Sequence, residues 1–208
     1  MKIAIINYGY GNLHSVNQAF EKANKDFDLK AEIEVTSNPN QINKADKIIL
    51  PGVGSFLDCL QAIKAIEGVY ETLLEQVIIK QKCFMGICVG MQLLADIGYE
   101  NGENNGFGWV AGSIEKMKVP VDYKIPHMGW NTIQFKNSTL FKNIEQNSDF
   151  YFVHSYEFKT LDENILASTN YASKITAAIK KDNIFGTQFH PEKSHKNGQL
   201  LIKNFIDW

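Results

Sequence analysis

Short apolar runs alternate with amphipathic segments along the first half of the chain. The runs Lys2–Asn7, Lys47–Leu50 and Cys83–Ile87 predict buried strands. Ala31–Thr36 alternates apolar residues with Glu, which is typical of a half-exposed strand. Helical spacing of apolar residues is found in four stretches: from Asn12 onward, Leu57–Ile66, Val69–Ile79, and from Cys88 to near Gly98. This alternation predicts an open α/β sheet that is mostly parallel and carries helices on both faces.

The pattern changes after Gly102, where short apolar runs follow one another without helices between them. They predict antiparallel additions to the sheet: Gly112–Lys116, Thr132–Phe135, Phe150–His154, Ile165–Ser168, Ile175–Lys180 and Ile184–Phe189. A final helix is predicted over Gly198–Ile206, and Asn101–Gly106 is expected to be a polar loop. Neither a repeat nor a linker interrupts the chain, so residues 1–208 are predicted to form one domain.

Charge and cysteine content exclude several classes of protein. The 21 basic residues are all lysine and balance 23 acidic residues to a net charge of −2, so neither a nucleic-acid-binding face nor an arginine clamp for phosphate is expected. No apolar run approaches the ~20 residues that cross a bilayer, and the start has no secretory signal. The three cysteines have no metal-ligand spacing, which favours a reducing, cytoplasmic location. Since nucleotide-binding and zinc motifs are also absent, neither a cofactor nor a metal is expected.

The sequence Gly86-Ile87-Cys88-Val89-Gly90 joins a predicted buried strand to a predicted helix. This is the sulfur version of a nucleophile elbow, in which a sharp turn needs small neighbours. The start of a helix also favours a thiolate at Cys88. A buried structural cysteine is the alternative, and it suits Cys59 and Cys83 better, because they lie within ordinary helix and strand patterns. The flanking glycines favour Cys88 as the nucleophile.

A cysteine nucleophile needs a histidine base, and that histidine needs a third group to orient it. His190 ends an apolar run and is followed by Pro191, which favours an extended backbone. Residues two apart in an extended chain point the same way, so Glu192 can lie beside His190. A solvated pair on a surface turn is the alternative, and the nearby elbow motif favours a Cys88–His190–Glu192 triad.

The loop Gly52-Val53-Gly54 follows a predicted parallel strand. Backbone amides in such loops stabilise a developing oxyanion or bind phosphate. A plain tight turn has the same composition, so the loop by itself leaves all three interpretations open.

Taken together, these motifs resemble those of the class I (triad) glutamine amidotransferases. The resemblance rests on Gly86–Gly90 followed by Met91-Gln92, and on His190-Pro191-Glu192 near the end of the chain. Four further segments resemble the glutaminase subunit of imidazole glycerol phosphate synthase: Asn7–Leu13, Leu50–Phe56, Pro126–Asn131 and Tyr151–Tyr156. The resemblance extends from the first predicted strand to the last predicted helix.

The resemblance implies hydrolysis of glutamine to glutamate and ammonia. Cys88 would attack the side-chain amide, with His190 as base and then acid, oriented by Glu192. The Gly52–Gly54 loop would supply an oxyanion amide, from Val53 after a local rearrangement. The family pattern also places a further group of residues near the bound glutamine: Gln92, Glu100, His154, Ser155 and Tyr156.

The resemblance further implies a partner, a (β/α)8-barrel cyclase that receives the ammonia within a heterodimer. Asn12, Trp130, Tyr151 and Lys193 match the face that docks on this barrel. Without the resemblance, the two aromatic residues would be assigned to the core, Asn12 to a helix cap and Lys193 to the solvated surface. The isolated chain is expected to hydrolyse glutamine poorly until the partner and its nucleotide complete the oxyanion loop.

Two other functions remain open at this point. The same glutaminase chemistry could serve a different synthase, such as one that aminates a sugar precursor, because the catalytic residues would be identical. A cysteine hydrolase of another type could also use this scaffold, although it would not need Gln92 or the segment Pro126–Asn131. A subunit without catalysis is disfavoured by the complete set of Cys88, His190 and Glu192.

Overall fold

The computed structural model describes residues 1–208 and combines three β-sheets with six α-helices. The strands are β1 (Lys2–Ile6), β2 (Glu32–Thr36), β3 (Lys47–Gly52), β4 (Cys83–Cys88), β5 (Ile97–Gly98), β6 (Asn104–Asn105), β7 (Gly112–Lys116), β8 (His127–Thr132), β9 (Gln134–Phe135), β10 (Asp149–His154), β11 (Tyr156–Thr160), β12 (Ile165–Tyr171), β13 (Ser173–Lys181) and β14 (Ile184–Thr187). The helices are α1 (Leu13–Asp26), α2 (Pro39–Lys44), α3 (Phe56–Ala65), α4 (Val69–Leu74), α5 (Val89–Gln92) and α6 (His195–Asp207). Helix α4 continues into a π-helical turn, Glu75–Ile79.

The main sheet has eight strands in the order β2-β1-β3-β4-β14-β13-β12-β9. The strands from β2 to β14 in this order are parallel, and the remaining pairs are antiparallel. All six residues of β3 are buried, as expected where helices cover both faces of a parallel sheet. The predicted fold class, an open and mostly parallel α/β sheet with antiparallel additions, is confirmed.

One predicted strand pairs differently from the expectation. Ile184–Phe189 was expected to be an antiparallel addition, but β14 is parallel to β4 and antiparallel only to β13. The cause is a tight reversal at Asp182 and Asn183, which turns the chain back along the direction of the N-terminal strands. Strands β4 and β14 therefore end at the same edge of the sheet, where Cys88 and His190 follow them.

The predicted helix from Cys88 to near Gly98 is wrong beyond Gln92. Helix α5 ends there because a distant segment takes the next carbonyl groups: Phe107 N–H donates to Leu93 O at 2.8 Å and Trp109 N–H donates to Leu94 O at 2.9 Å. Ile97 and Gly98 instead form β5, which pairs with β6 and β7. The apolar stripe of this segment is buried by strand pairing rather than by helix packing.

Smaller differences lie in the connections. The polar loop predicted over Asn101–Gly106 contains the short strand β6, and Thr132–Phe135 is divided between β8 and β9. Helix α2 was not predicted; Asn38 caps its N-terminus and Pro39 occupies its first turn. No helix is both long and apolar enough to cross a membrane.

Candidate active site

Cys88 lies on a strained turn between β4 and α5. Its backbone angles are φ +55° and ψ −112°, a conformation that residues with a Cβ adopt only at a cost in energy. The turn presses α5 against its neighbours: a Cβ on Gly86 would lie 2.5 Å from Gly90 O, and a Cβ on Gly90 would lie 1.9 Å from Leu50 O. Close backbone contact therefore requires glycine on both sides of Cys88.

His190 follows β14 and is paired with Glu192 across a short turn. His190 Nδ1 donates to Glu192 Oε1 at 2.7 Å, and the two side chains are only 2% and 1% exposed. Burial alone would lower the pKa of His190, but the Cys88 sulfur and the Glu192 carboxylate together outweigh it and raise the pKa to about 10. The ring is therefore positively charged at neutral pH. Its other nitrogen, Nε2, has no hydrogen-bond partner in the protein.

Cys88 and His190 line one cavity of about 290 Å³, which suits a small molecule. Several other residues predicted from the sequence line the same cavity: Val53, Gly54, Gln92, Glu100, His154, Ser155 and Tyr156. Gly52 and Glu192 lie behind this wall, next to Cys88 and His190 respectively. No group of three or more His, Cys, Asp or Glu side chains is arranged to hold a metal ion.

The loop Gly52–Gly54 is anchored on both sides of the Gly52–Val53 peptide. Tyr8 Oη donates to Pro51 O at 2.8 Å, and Cys59 Sγ donates to Val53 O at 3.4 Å. Burial raises the pKa of the Tyr8 hydroxyl, and it raises the pKa of the Cys59 thiol to about 11, so both groups stay protonated as donors. The Val53 N–H itself makes no hydrogen bond to the protein.

Gln92 and Glu100 both line the cavity and are held by different elements. Gln92 Nε2 donates to Tyr156 O at 3.3 Å and to Gln188 Oε1 at 3.0 Å, which fixes the orientation of its amide. Glu100 Oε2 accepts from Phe56 N–H, the first residue of α3, at 2.7 Å. The positive end of that helix stabilises the charge of Glu100.

His154, Ser155 and Tyr156 form the turn between β10 and β11. His154 is buried, and both of its ring nitrogens are engaged: Nδ1 donates to Tyr156 O at 2.8 Å and Nε2 lies 2.9 Å from His127 Nδ1. Burial lowers the pKa of His154 to about 3, so its ring is neutral. His154 therefore forms part of the cavity wall and has no free ring nitrogen to offer a ligand.

Residues 4–208 match the glutamine amidotransferase class-I family. The chain belongs to the class I glutamine amidotransferases. Three relatives carry the name imidazole glycerol phosphate synthase subunit HisH. The chain is 46% identical to those of Pelagibacter ubique and Rhodospirillum rubrum, over its whole length and at least 99% of theirs. It is 45% identical to that of Campylobacter jejuni over 98% of both chains.

Two solved structures have a fold similar to that of this amidotransferase. A glutamine amidotransferase from Thermotoga maritima has a TM-score of 0.67 at 15% identity, with 100% of this chain and 83% of that one covered. A second glutamine amidotransferase has a TM-score of 0.73 at 14% identity, with 98% and 97% of the two chains covered. At these identities the likeness concerns the arrangement of the strands and helices.

In this amidotransferase, the aromatic residues expected at a docking face lie on paired strands beside the active site. Trp130 on β8 is directly opposite Tyr151 on β10, and Trp130 is 48% exposed. The Trp130 ring stacks on His195 with a centroid distance of 5.0 Å, and Lys193 Nζ lies 5.6 Å from the centre of the Tyr151 ring. Asn12 lies at the N-terminus of α1, where its side chain accepts from Ser15 N–H, and α1 packs against the turn Pro191–Lys193.

The Tyr151 backbone is hydrogen-bonded directly to the segment that carries His190, the predicted base. His190 N–H donates to Tyr151 O at 2.9 Å, and Tyr151 N–H donates to Ser194 Oγ at 3.0 Å. Ser194 Oγ in turn donates to His190 O at 2.6 Å. The position of His190 is therefore set by β10 as well as by β14.

Sequence reasoning assigned no role to three residues of this site. Gln188 Nε2 lies 3.7 Å from Cys88 Sγ, Tyr8 holds the loop before Val53, and His127 contacts His154. A polar Gln188 near the end of a mostly apolar run, two residues before His190, is a signal that could have been used. Tyr8 and His127 act through distant partners, and nothing in their local sequence indicates those contacts.

Proposed function

We propose that this chain is the glutaminase subunit of an imidazole glycerol phosphate synthase, and that it hydrolyses L-glutamine to glutamate and ammonia in histidine biosynthesis. One observation carries the chemistry: the Cys88 sulfur, on a strained turn, shares a cavity with the buried His190, whose Nδ1 is held 2.7 Å from Glu192. The HisH relatives, 46% identical over the whole chain, support the choice of synthase.

The charge state of the pair supports a thiolate nucleophile. The raised pKa of His190 favours transfer of the thiol proton to its ring, and the resulting charge stabilises the thiolate that attacks glutamine. The thiolate attacks the side-chain amide carbon, and His190 Nε2 gives its proton to the departing nitrogen, which leaves as ammonia. Water then attacks the glutamyl thioester, His190 takes a proton from that water, and glutamate leaves. Glu192 keeps the ring oriented throughout, and the ring regains its charge when it takes the proton from water.

The oxyanion of each tetrahedral intermediate needs hydrogen-bond donors near the sulfur. We assign one donor to Val53 N–H, which is unpaired and belongs to a peptide anchored on both sides by Tyr8 and Cys59. Anchored neighbours allow this single peptide to rotate while the rest of the loop stays in place. Gly52 and Gly54 permit the rotation without a clash from a side chain.

Glutamine is bound through its amino-acid end by the opposite wall of the cavity. Glu100 uses one carboxylate oxygen to accept from α3, so the other can bind the α-ammonium group of the substrate. Gln92, Ser155 and Tyr156 supply polar groups from the facing side, and His154 contributes its position rather than a ring nitrogen.

The partner in this proposal is a (β/α)8-barrel cyclase, bound as a heterodimer that receives the ammonia directly. The docking face of this chain would include four residues: Asn12 at the start of α1, Trp130, Tyr151 and Lys193. The exposure of Trp130 supports this role, because aromatic anchors dominate the binding energy of many interfaces. The bonds from Tyr151 to the His190 segment provide a short path from the partner to the triad.

Two broader features of the chain belong to the same proposal. A continuous hydrophobic core that includes residues from Ile3 to Ile206 supports a single amidotransferase domain over residues 1–208. Three cysteines without disulfide bonds support a reducing, cytoplasmic location.

The test uses the chain together with a barrel cyclase and its nucleotide substrate. Cys88→Ala should abolish the glutamine-dependent reaction and leave the reaction with added ammonium salt intact, because ammonia bypasses the glutaminase. Cys83→Ala is the matched control, since Cys83 lies at the start of β4, outside the cavity, and should keep both reactions.

Two outcomes would contradict the proposal. If the wild-type complex released no glutamate, the chain would not be a glutaminase. If glutamate were released only with an unrelated synthase, the chemistry would stand and the assignment to a barrel cyclase would be wrong.

A further inference from the structure

Two buried histidines face each other on β8 and β10, the strands that carry Trp130 and Tyr151, and one of them lines the cavity. His127 on β8 and His154 on β10 are a directly opposed cross-strand pair, and their rings are joined by a 2.9 Å contact between His127 Nδ1 and His154 Nε2. His127 is also held between two aromatic rings: Phe152 at a centroid distance of 4.8 Å and Tyr171 at 4.2 Å. This packing leaves the imidazole little freedom to rotate.

The hydrogen bonds of the pair can be satisfied in only one direction. The Tyr156 carbonyl can only accept, so His154 Nδ1 carries the proton. Burial lowers the pKa of His127 to about 4 and that of His154 to about 3, so both rings are neutral. His154 Nε2 is therefore an acceptor, and the proton between the rings belongs to His127 Nδ1.

The other end of the pair agrees with this direction. His127 Nε2 must accept, and it lies 3.2 Å from Asn131 Nδ2, an amide donor. The Asn131 amide is itself oriented, because Nδ2 also donates to Asn170 O at 3.0 Å and Oδ1 accepts from Thr132 N–H at 2.8 Å. Each N–H donor on the side chains of Asn131, His127 and His154 therefore faces an acceptor.

This series of hydrogen bonds ends at the Tyr156 carbonyl, which also accepts from the wall of the proposed glutamine cavity. Tyr156 O accepts from His154 and also from Gln92 Nε2, and Gln92 donates to Gln188 Oε1. Gln188 Nε2 lies 3.7 Å from Cys88 Sγ. The position of the Tyr156 carbonyl thus affects the orientation of Gln92, which lines the cavity, and through Gln92 that of Gln188 beside Cys88.

We propose that His127 is a positioning residue for the glutamine cavity: by donating to His154 Nε2 it fixes the His154 tautomer that holds the Tyr156 carbonyl, and so the wall formed with Gln92. The inference rests on the proposed function for the nature of the ligand. A residue that only fills space between Phe152 and Tyr171 would not need its ring proton.

The hydrogen bond can be measured without any activity. In ¹⁵N-labelled protein at pH 7, we expect a scalar coupling across the N–H···N bond between a protonated His127 Nδ1 and an unprotonated His154 Nε2. The His127→Asn variant, which lacks one of the rings, assigns the signals. Absence of the coupling, or a His154 protonated on Nε2, would overturn the proposal.

The kinetic test compares variants that keep or lose the donor. Asn places an amide N–H near the position of Nδ1, whereas Leu fills similar volume without a donor. In the complex with the barrel cyclase, we expect His127→Leu to raise the KM for glutamine about tenfold, because a buried acceptor loses its partner. We expect His127→Asn to stay within about threefold of wild type on the same grounds, and ammonium-dependent turnover to be unchanged in both.

A second variant covers the case in which His127→Leu does not fold. In His127→Gln the side-chain amide lies at the position of the former Nε2, too far from His154 Nε2 to donate to it. This variant should therefore raise the KM for glutamine as His127→Leu does. Equal KM values for Asn and Gln variants would refute the positioning role. A wild-type complex that releases no glutamate would refute the proposed function instead, and the scalar coupling would still decide the tautomer.

Discussion

The strained backbone at Cys88 makes a prediction about stability that is independent of catalysis. Replacing Cys88 by alanine or by glycine removes the sulfur in both cases, so neither variant can form a thioester. The two variants differ by one Cβ, placed on a backbone with φ +55° and ψ −112°. That conformation is open to glycine and strained for alanine.

The expected difference in the free energy of unfolding between the two variants follows from two opposing effects. Relief of backbone strain favours glycine by about 1–3 kcal/mol. Glycine also gives the unfolded chain more freedom, which disfavours it by roughly 0.4–1 kcal/mol. The net expectation is that Cys88→Gly is more stable than Cys88→Ala by about 1 kcal/mol. In a chain of 208 residues, this corresponds to a Tm about 2–4 °C higher.

Thermal and urea unfolding of the two variants measure this difference. A matched control is the change Ala62→Gly in the middle of α3, where the backbone is helical. There the same exchange of alanine for glycine should lower the free energy of unfolding by about 1 kcal/mol. The sign of the effect should therefore be opposite at the two sites.

The reasoning would be refuted if glycine destabilised the chain at Cys88 by as much as it does at Ala62. Such a result would mean that the turn carries no strain and that the cysteine is held without a cost to folding. If the expected sign is found, the nucleophile is kept in place at the expense of stability, as is common at catalytic positions.

Further predictions concern the triad, the elbow and the docking face. Glu192→Gln should lower the pKa of His190, which is about 10 in the folded protein and ordinarily 6.5. The stability that comes from a raised pKa is fully present below about 6.5 and is lost as the pH rises through about 10. The variant should therefore lose about 2 kcal/mol of unfolding free energy in urea near pH 6, and this loss should shrink toward pH 10. A loss that grows with pH would contradict the assigned charge. Gly90→Ala should prevent folding or cost more than about 4 kcal/mol, because its Cβ would lie 1.9 Å from a carbonyl oxygen of β3; a wild-type Tm in differential scanning calorimetry would disprove the close contact. Trp130→Ala should weaken cyclase binding by about 2 kcal/mol in titration calorimetry, with little change in Tm. Ile79 is even more exposed and lies at the opposite edge of the sheet, before β4, so Ile79→Ala should leave cyclase binding unchanged; equal effects would exclude the proposed face.

Local patterns in the sequence account well for the parallel half of the sheet. Runs such as Lys47–Leu50 are apolar at every position because both faces of β3 are covered, and this requirement is visible in a few consecutive residues. The glycines around Cys88 are equally local, since the turn itself demands them. These features therefore predict the fold class and the candidate nucleophile.

Features that depend on distant contacts could not be predicted in this way. The short length of α5 is decided by Phe107 and Trp109, which bond to the carbonyls of Leu93 and Leu94 just after it. The parallel direction of β14 is decided by the reversal after β13. The tautomer of His154 depends on His127, which lies on another strand. Hydrophobic periodicity does not identify such partners, because it shows which residues are buried and not which neighbours bury them.

The direction of β14 has a consequence for how this site is built. Because β14 is parallel to β4, Cys88 and His190 leave the same edge of the sheet, and β10 then bonds to His190 from the other side through Tyr151. Tyr151 is also the cross-strand partner of the exposed Trp130. A partner that binds Trp130 would therefore act on a strand only one residue pair and one backbone hydrogen bond away from the base. In the proposed complex, coupling between docking and hydrolysis needs no long pathway, since the His190 N–H already donates to Tyr151 O on β10.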